Sequence, residues 1–126
     1  MELSRDEFEG LVHTALRGLP RRFRRKLQNI AVVVEEWPDD ETLEEMEIEP
    51  PDTLYGLYRG VSLERRGSWY GGVLPDVITI YRGPILETCE TPEEIEALVQ
   101  DVVAHEIGHY FGLDDERLEE LEAGDD

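Results

Sequence analysis

The chain of 126 residues has room for one core of a few helices packed on a small sheet, so residues 1–126 are expected to form a single domain. Its formal charge of −19, from 31 acidic and 12 basic side chains, opposes nucleic-acid binding, which depends on clustered Lys and Arg. Apolar residues make up 40% of the sequence in short patterned runs, which excludes a disordered polymer, and no run approaches the roughly 18 residues a membrane span needs.

Residues 1–10 are acidic and polar where a secretion signal is basic and then apolar, so the cytoplasm is the expected location. Ser4-Arg5-Asp6-Glu7 has the spacing of a capping box. Phe8, Leu11, Val12, Ala15, Leu16 and Leu19 then recur at three and four residues, which predicts an amphipathic helix stopped by Pro20. Six of the twelve basic residues follow closely: Arg17, Arg21, Arg22, Arg24, Arg25 and Lys26. They are read as a solvated face balancing a very acidic body. A second short helix is expected over residues 22–28. The β-branched run Ile30-Ala31-Val32-Val33-Val34 is short enough for a buried strand.

Between Glu35 and Asp52 the chain has ten acidic residues and no basic ones, with Pro38, Pro50 and Pro51 as punctuation, and a long solvated loop is expected there. Residues 54–59 read as a second strand and residues 67–72 as a turn-rich connection. Val77-Ile78-Thr79-Ile80-Tyr81 is the third strand, and Pro75 just before it suits an edge position. The lone Cys89 cannot form an internal disulfide and is read as a structural thiol. Thr91-Pro92-Glu93-Glu94 is a helix start, with Thr as N-cap, Pro at the first helical position and Glu94 placed to close a capping box. The helix should run to about Phe111, burying Ile95, Leu98, Val99, Val102 and Val103, with Gly112 as its stop and a last short helix over residues 115–122.

Inside that long helix lies His105-Glu106-Ile107-Gly108-His109. Residues four apart are separated by about 400° of rotation and roughly 6 Å of rise, so both imidazoles project from nearly one face and can meet one metal ion. Glu106 sits about 100° round from His105, close enough to reach a water on that ion without being a ligand. Gly112 can turn the chain back so that Asp115 approaches as third ligand; Asp114 competes for the same role. Zinc suits two imidazoles and a carboxylate, and a catalytic zinc keeps one position open for a water whose pKa it lowers toward 7. Glu106 is then the expected general base, returning the proton to the leaving amine.

The pattern His105-Glu106-x-x-His109-x-x-Gly112-x-x-Asp115 resembles the extended zinc signature of the metzincin-like zincins, in the variant of snapalysin-type enzymes with Asp as third ligand. True metzincins place a methionine beneath the metal after the third ligand, whereas Met1 and Met46 both precede the motif. The whole chain is more similar to the minimal zincins, a family of short bacterial zinc metallopeptidases. The likeness is carried by Tyr55-Gly56-Leu57-Tyr58, Tyr70-Gly71-Gly72, Pro75-Asp76 with the strand and Arg82-Gly83-Pro84 after it, and the motif through Leu118. The resemblance implies an α+β, zincin-like fold: a small mixed sheet of about three or four strands packed against the N-terminal helix and the active-site helix. It implies one catalytic zinc held by His105, His109 and Asp115, with Glu106 as base. It also nominates Val77, Ile78, Thr79, Ile80 and Tyr81 as an edge strand pairing with an extended substrate, since zincins bind substrate along such an edge.

Tyr81, Arg82, Tyr110 and Arg117 are candidates to steady an oxyanion. The expected activity is zinc-dependent hydrolysis of peptide bonds in a peptide or protein substrate. Because so small a chain builds few walls around a metal, the expectation is either weak substrate affinity or dependence on a protein partner that completes the site. The competing reading is a non-catalytic, metal-stabilised protein-interaction domain. Structural zinc usually takes four protein ligands, and this chain offers three, which favours catalysis.

Overall fold

The computed structural model describes residues 3–49, 53–60 and 76–110. Ser4 starts the first helix, α1 (Arg5–Arg17): its hydroxyl accepts from the Glu7 amide at 3.1 Å, and the Glu7 carboxylate accepts from the Ser4 amide at 3.0 Å. Those bonds, the backbone one foremost, hold the Glu7 carboxyl below its ordinary range. The capping box is therefore complete. Phe8, Val12 and Ala15 are buried along α1 and Leu19 just beyond it, as the spacing requires. α2 (Arg21–Leu27) is short and basic and is anchored through buried Phe23.

Three strands form a mixed sheet in the order β1-β3-β2, with β1 (Ile30–Glu35) parallel to β3 (Asp76–Tyr81) and β2 (Gly56–Arg59) antiparallel to it. Residues 77–81 are thus in the central strand. Both hydrogen-bonding edges of β3 are occupied, so the expected edge position is overturned. Pro75 itself lies outside the described residues. β1, expected to be buried, lies at an edge of the described sheet, with Val34 buried and Val33 39% exposed.

The acidic stretch after β1 is not wholly loop. Asp39 caps a third helix, α3 (Asp40–Glu45), by accepting from the Thr42 amide at 2.7 Å. The helix ends in a Schellman arrangement, with the Ile48 amide bonding the Leu43 carbonyl at 2.9 Å and the Glu47 amide bonding that of Glu44 at 3.0 Å. Glu47 occupies the left-handed position there, at φ 57°, where glycine is usual. Arg59 of β2 pins α3 to the sheet, donating to Thr42 Oγ1 at 3.0 Å and lying 3.6 Å from the Glu45 carboxylate.

β3 runs directly into α4 (Arg82–Thr88), a helix the Gly83-Pro84 pair concealed in the sequence. Gly83 is needed there: a Cβ would lie 2.2 Å from the Trp37 ring, so the indole rests on bare backbone. α5 (Pro92–Tyr110) closes the described fold. Phe8, Val12, Phe23, Val34, Ile78, Ile80, Ile85, Ile95, Val99, Val103 and Ile107 form one buried cluster between the inner sheet face and the helices. Each fully buried Ile, Val or Phe contributes on the order of 1.5–3 kcal/mol against the chain's ordering entropy. Gln100 of α5 donates to the Ala15 carbonyl at 3.0 Å, closing the C-terminal end of α1. No helix among the described residues is long and apolar enough to cross a membrane. The mixed α+β architecture matches the expected one; the turn at residues 67–72, Gly112 and the last helix over residues 115–122 lie outside the described residues.

Candidate metal centre on the longest helix

α5 carries three parallel stripes at four-residue spacing, and their separation builds the site. Ile95, Val99, Val103 and Ile107 are fully buried and turn one stripe into the core. Leu98, Val102 and Glu106 form the second, which faces β2. The approach is closest at Gly56, where an added Cβ would lie 2.6 Å from Val102 Cγ1 and 3.1 Å from the Thr79 carbonyl oxygen. Asp101, His105 and His109 form the third stripe, turned away from the core, with His105 half-buried and His109 exposed. The helix start that fixes this phase is close to the predicted one. Thr91 Oγ1 accepts from the Glu94 amide at 3.1 Å, while Glu94 reaches back to the Glu90 amide at 2.8 Å, one residue before the expected partner.

The two imidazoles have ring centroids 6.2 Å apart and planes 69° apart. Zinc–nitrogen bonds of about 2.0–2.1 Å put each ring centroid roughly 3.2 Å from the ion, so two rings sharing one ion at a tetrahedral angle stand about 5 Å apart. Side-chain rotation that closes the pair by about 1 Å brings both onto a single ion. His105 Nδ1 lies 2.8 Å from the Asp101 carbonyl oxygen. A carbonyl only accepts, so Nδ1 carries the hydrogen and Nε2 is left with its lone pair, the tautomer of a metal-ligating histidine. The Asp101 carboxylate is 3.6 Å from the same nitrogen. The donor chemistry of these two residues fits zinc.

Among the described residues no group of three His, Cys, Asp or Glu side chains converges as a metal site. The expected third ligand, Asp115, and its competitor Asp114 lie outside the described residues, as do Arg117 and the side chain of Tyr110.

Glu106 is held by the strand beside it. Its Oε1 accepts from the Tyr58 amide at 2.9 Å, and no other hydrogen bond of its carboxylate forms among the described residues. That amide is oriented by strand alternation. The Tyr81 amide bonds the Tyr55 carbonyl, so residues 55, 57 and 59 turn their backbone groups toward β3, and Gly56 and Tyr58 turn theirs away from it. Tyr58 is fixed at its other end by its hydroxyl, which donates to Asp76 Oδ2 at 2.6 Å, with Asp76 only 8% exposed. Sequence reasoning passed over both residues. The one available signal was an acidic residue opening an otherwise apolar strand; the register sets Tyr58 beside Ile78, so its hydroxyl reaches Asp76 diagonally along the same face.

The other predicted positions fall elsewhere. Backbone pairing of an extended substrate to Val77, Ile78, Thr79, Ile80 or Tyr81 is excluded by the two ladders β3 already makes. Ile78 and Ile80 point into the core, and Val77, Thr79 and Tyr81 point to the opposite sheet face. Tyr81 therefore lies across the sheet from Glu106 and cannot steady an oxyanion there. Arg82 is a clamp: it bonds Glu36 Oε1 at 2.6 Å and the Leu3 carbonyl, tying α4 to both ends of the α1–β1 region. The basic residues of α2 and its approach are largely exposed; Arg24 donates to the Arg17 carbonyl at 3.1 Å. Cys89 is buried in the core, and burial pushes its thiol pKa up, with Glu94 adding to the shift, so it is a structural thiol.

A family model described as zincin-like metallopeptidase matches residues 27–125. Among solved structures, the chain is similar to a conserved hypothetical protein from Thermo thermophilus. They share 25% sequence identity with a TM-score of 0.57, over 86% of this chain and 94% of that one. No curated protein matches the chain.

Proposed function

The chain belongs to the zincin-like metallopeptidase family, and from that premise we propose that it is a zinc-dependent peptidase in which Glu106 is the general base. The observation that carries this reading is the division of labour on α5. Two imidazoles share a solvent-facing stripe, while the glutamate one residue on is turned toward β2 and held there by one oxygen. A carboxylate anchored in that way keeps its second oxygen for a water beside the histidines. When bound, zinc supplies Lewis-acid polarisation and lowers the pKa of water toward neutrality.

His105 and His109 would hold the ion, with Asp115 as the third ligand. Glu106 takes the proton of the attacking water as its oxygen adds to the scissile carbonyl. It then gives that proton to the departing amine, so the carboxylate is regenerated and the peptide bond has gained one water. The Tyr58 amide keeps Oε1 in place throughout, as the preorganised partner such proton transfers need. The exposed position of His109 leaves the site open on one side, which supports an unstructured peptide as substrate and a protein partner as the missing wall.

The test is Glu106→Gln, which keeps the Tyr58 hydrogen-bond acceptor and removes the base. The variant should bind zinc as the parent does and hydrolyse an unfolded protein substrate about 10²–10⁴-fold more slowly. Equal hydrolysis by the two proteins would remove Glu106 from the reaction, and equal zinc content with no hydrolysis by either would favour a structural metal.

A further inference from the structure

The sheet face turned away from α5 carries a groove of about 760 Å³ that the proposed reaction does not use. Its floor follows from strand register. Parallel pairing sets Val33 beside Thr79 and Glu35 beside Tyr81, and strand alternation points all four, with Val77, to this face. α3 forms a wall, contributing the carboxylates of Asp39 and Glu41. Arg59 rises from the far end, beside Val77, where it is bonded to Thr42 and paired with Glu45.

The near end differs. Tyr81 is 4% exposed and Thr79 6% exposed, yet neither hydroxyl makes a hydrogen bond among the described residues. Glu35, beside Tyr81, makes no ion pair among them. Arg82 Nε is the one fully buried side-chain polar atom without a partner among the described residues, so the two hydroxyl oxygens open on the groove, where a ligand can reach them. Burial first, and the charge of Glu35 after it, raise the Tyr81 phenol above its ordinary pKa, with Asp39 adding and Arg59 opposing; the group stays protonated and lies in the field of those side chains.

We infer that this end of the groove binds the cationic head of a lysine or arginine side chain presented by a peptide, with Tyr81, Thr79 and Glu35 as its hydrogen-bonding partners and Val33 and Val77 as the bed of its aliphatic stem. The charge and the shape both select that occupant. A divalent ion needs several ligands converging on one point, and no three acidic side chains do so among the described residues. A polyamine carries a further charge every few carbons and would lay one on the apolar floor. A single cation at the tip of a methylene stem matches a polar pocket with an apolar approach. The site lies across the sheet from Glu106 and is independent of the reaction there.

The experiment is a titration of the ¹⁵N-labelled full chain with the capped tripeptide acetyl-Ala-Lys-Ala-amide, against the same peptide carrying norleucine, and against spermidine. Saturable amide shifts confined to Val33, Glu35, Thr79, Tyr81 and their neighbours are expected with the lysine peptide and not with norleucine. Tyr81→Phe should weaken binding about tenfold, the worth of one charge-assisted hydrogen bond. Glu35→Gln, an exposed change that spares the fold, should do likewise, and Glu106→Gln should bind as the parent does. Shifts scattered over the acidic surface, equal affinity for the parent and the Tyr81 and Glu35 variants, or spermidine occupying the same amides more tightly than the lysine peptide would each overturn the assignment.

Discussion

Gly56→Ala probes the contact that sets the distance between β2 and α5, and through it the anchoring of Glu106. The new Cβ would start 2.6 Å from Val102 Cγ1 and 3.1 Å from the Thr79 carbonyl oxygen. A relaxed carbon–carbon contact is about 3.5–4.0 Å, so the strand and helix must part by roughly 1 Å. Val102 cannot turn aside, because a β-branched residue in a helix has one strongly preferred rotamer. The Tyr58–Glu106 hydrogen bond, at 2.9 Å, tolerates only about 0.6 Å of lengthening before it ceases to be one. The substitution should therefore break that bond while costing about 1–3 kcal/mol of overpacking, a fall of roughly 3–10 °C in Tm for a chain of this size.

Val102→Ala removes the obstructing methyl groups, so the double variant should recover hydrolysis of an unfolded substrate even though Val102→Ala alone is mildly destabilising. The two changes are in contact and should couple by at least ~1 kcal/mol in a double-mutant cycle of Tm and rate. Full activity in Gly56→Ala would refute the claim that β2 positions the base. Activity lost in the single variant and not regained in the double would place the defect at the Thr79 carbonyl instead.

Two further outcomes follow from α3. Glu47 holds a left-handed conformation that costs an L-residue on the order of 1–2 kcal/mol, so Glu47→Gly should stabilise the protein by about 0.5–1 kcal/mol once the added chain entropy is subtracted, readable as a higher Tm. The side-chain hydrogen bond from Thr42, and then its amide, hold the Asp39 carboxyl below its ordinary value of 3.8. A depressed carboxyl pKa means that the cap contributes fully above pH ~4 and is lost as pH falls through the lower folded value, so the Thr42 amide resonance should titrate below pH 4 and not above it.

Elements with an uninterrupted local pattern were readable from the residues: α1 from its capping box and its stripe from Phe8 to Leu19, α2 nearly to the residue, and the start and buried face of α5. What the chain alone concealed were facts of pairing. Pro75 suggested an edge for residues 77–81, but the order of strands is decided by which strand crosses between the other two, and no residue in β3 encodes that by itself. α3 was hidden because charge density reads as solvent exposure, whereas Asp39 and Thr42 form a local cap that six residues suffice to use. The histidine pair and Glu106 were legible because one helix carries all three at fixed angles. Tyr58 and Asp76 were not, because each acts through a partner distant in sequence.

The account stands most directly on the metal. Anomalous diffraction at the zinc edge, from crystals of the chain purified with zinc, should show one ion per molecule with His105 Nε2 and a His109 ring nitrogen at about 2.0–2.1 Å, the Asp115 carboxylate completing the set, and Glu106 outside it. The same protein carrying His109→Ala should hold no zinc by elemental analysis. A fully folded parent chain without an anomalous peak between the two imidazoles, or a peak with Glu106 as a direct ligand, would contradict the proposed centre and the reaction built on it.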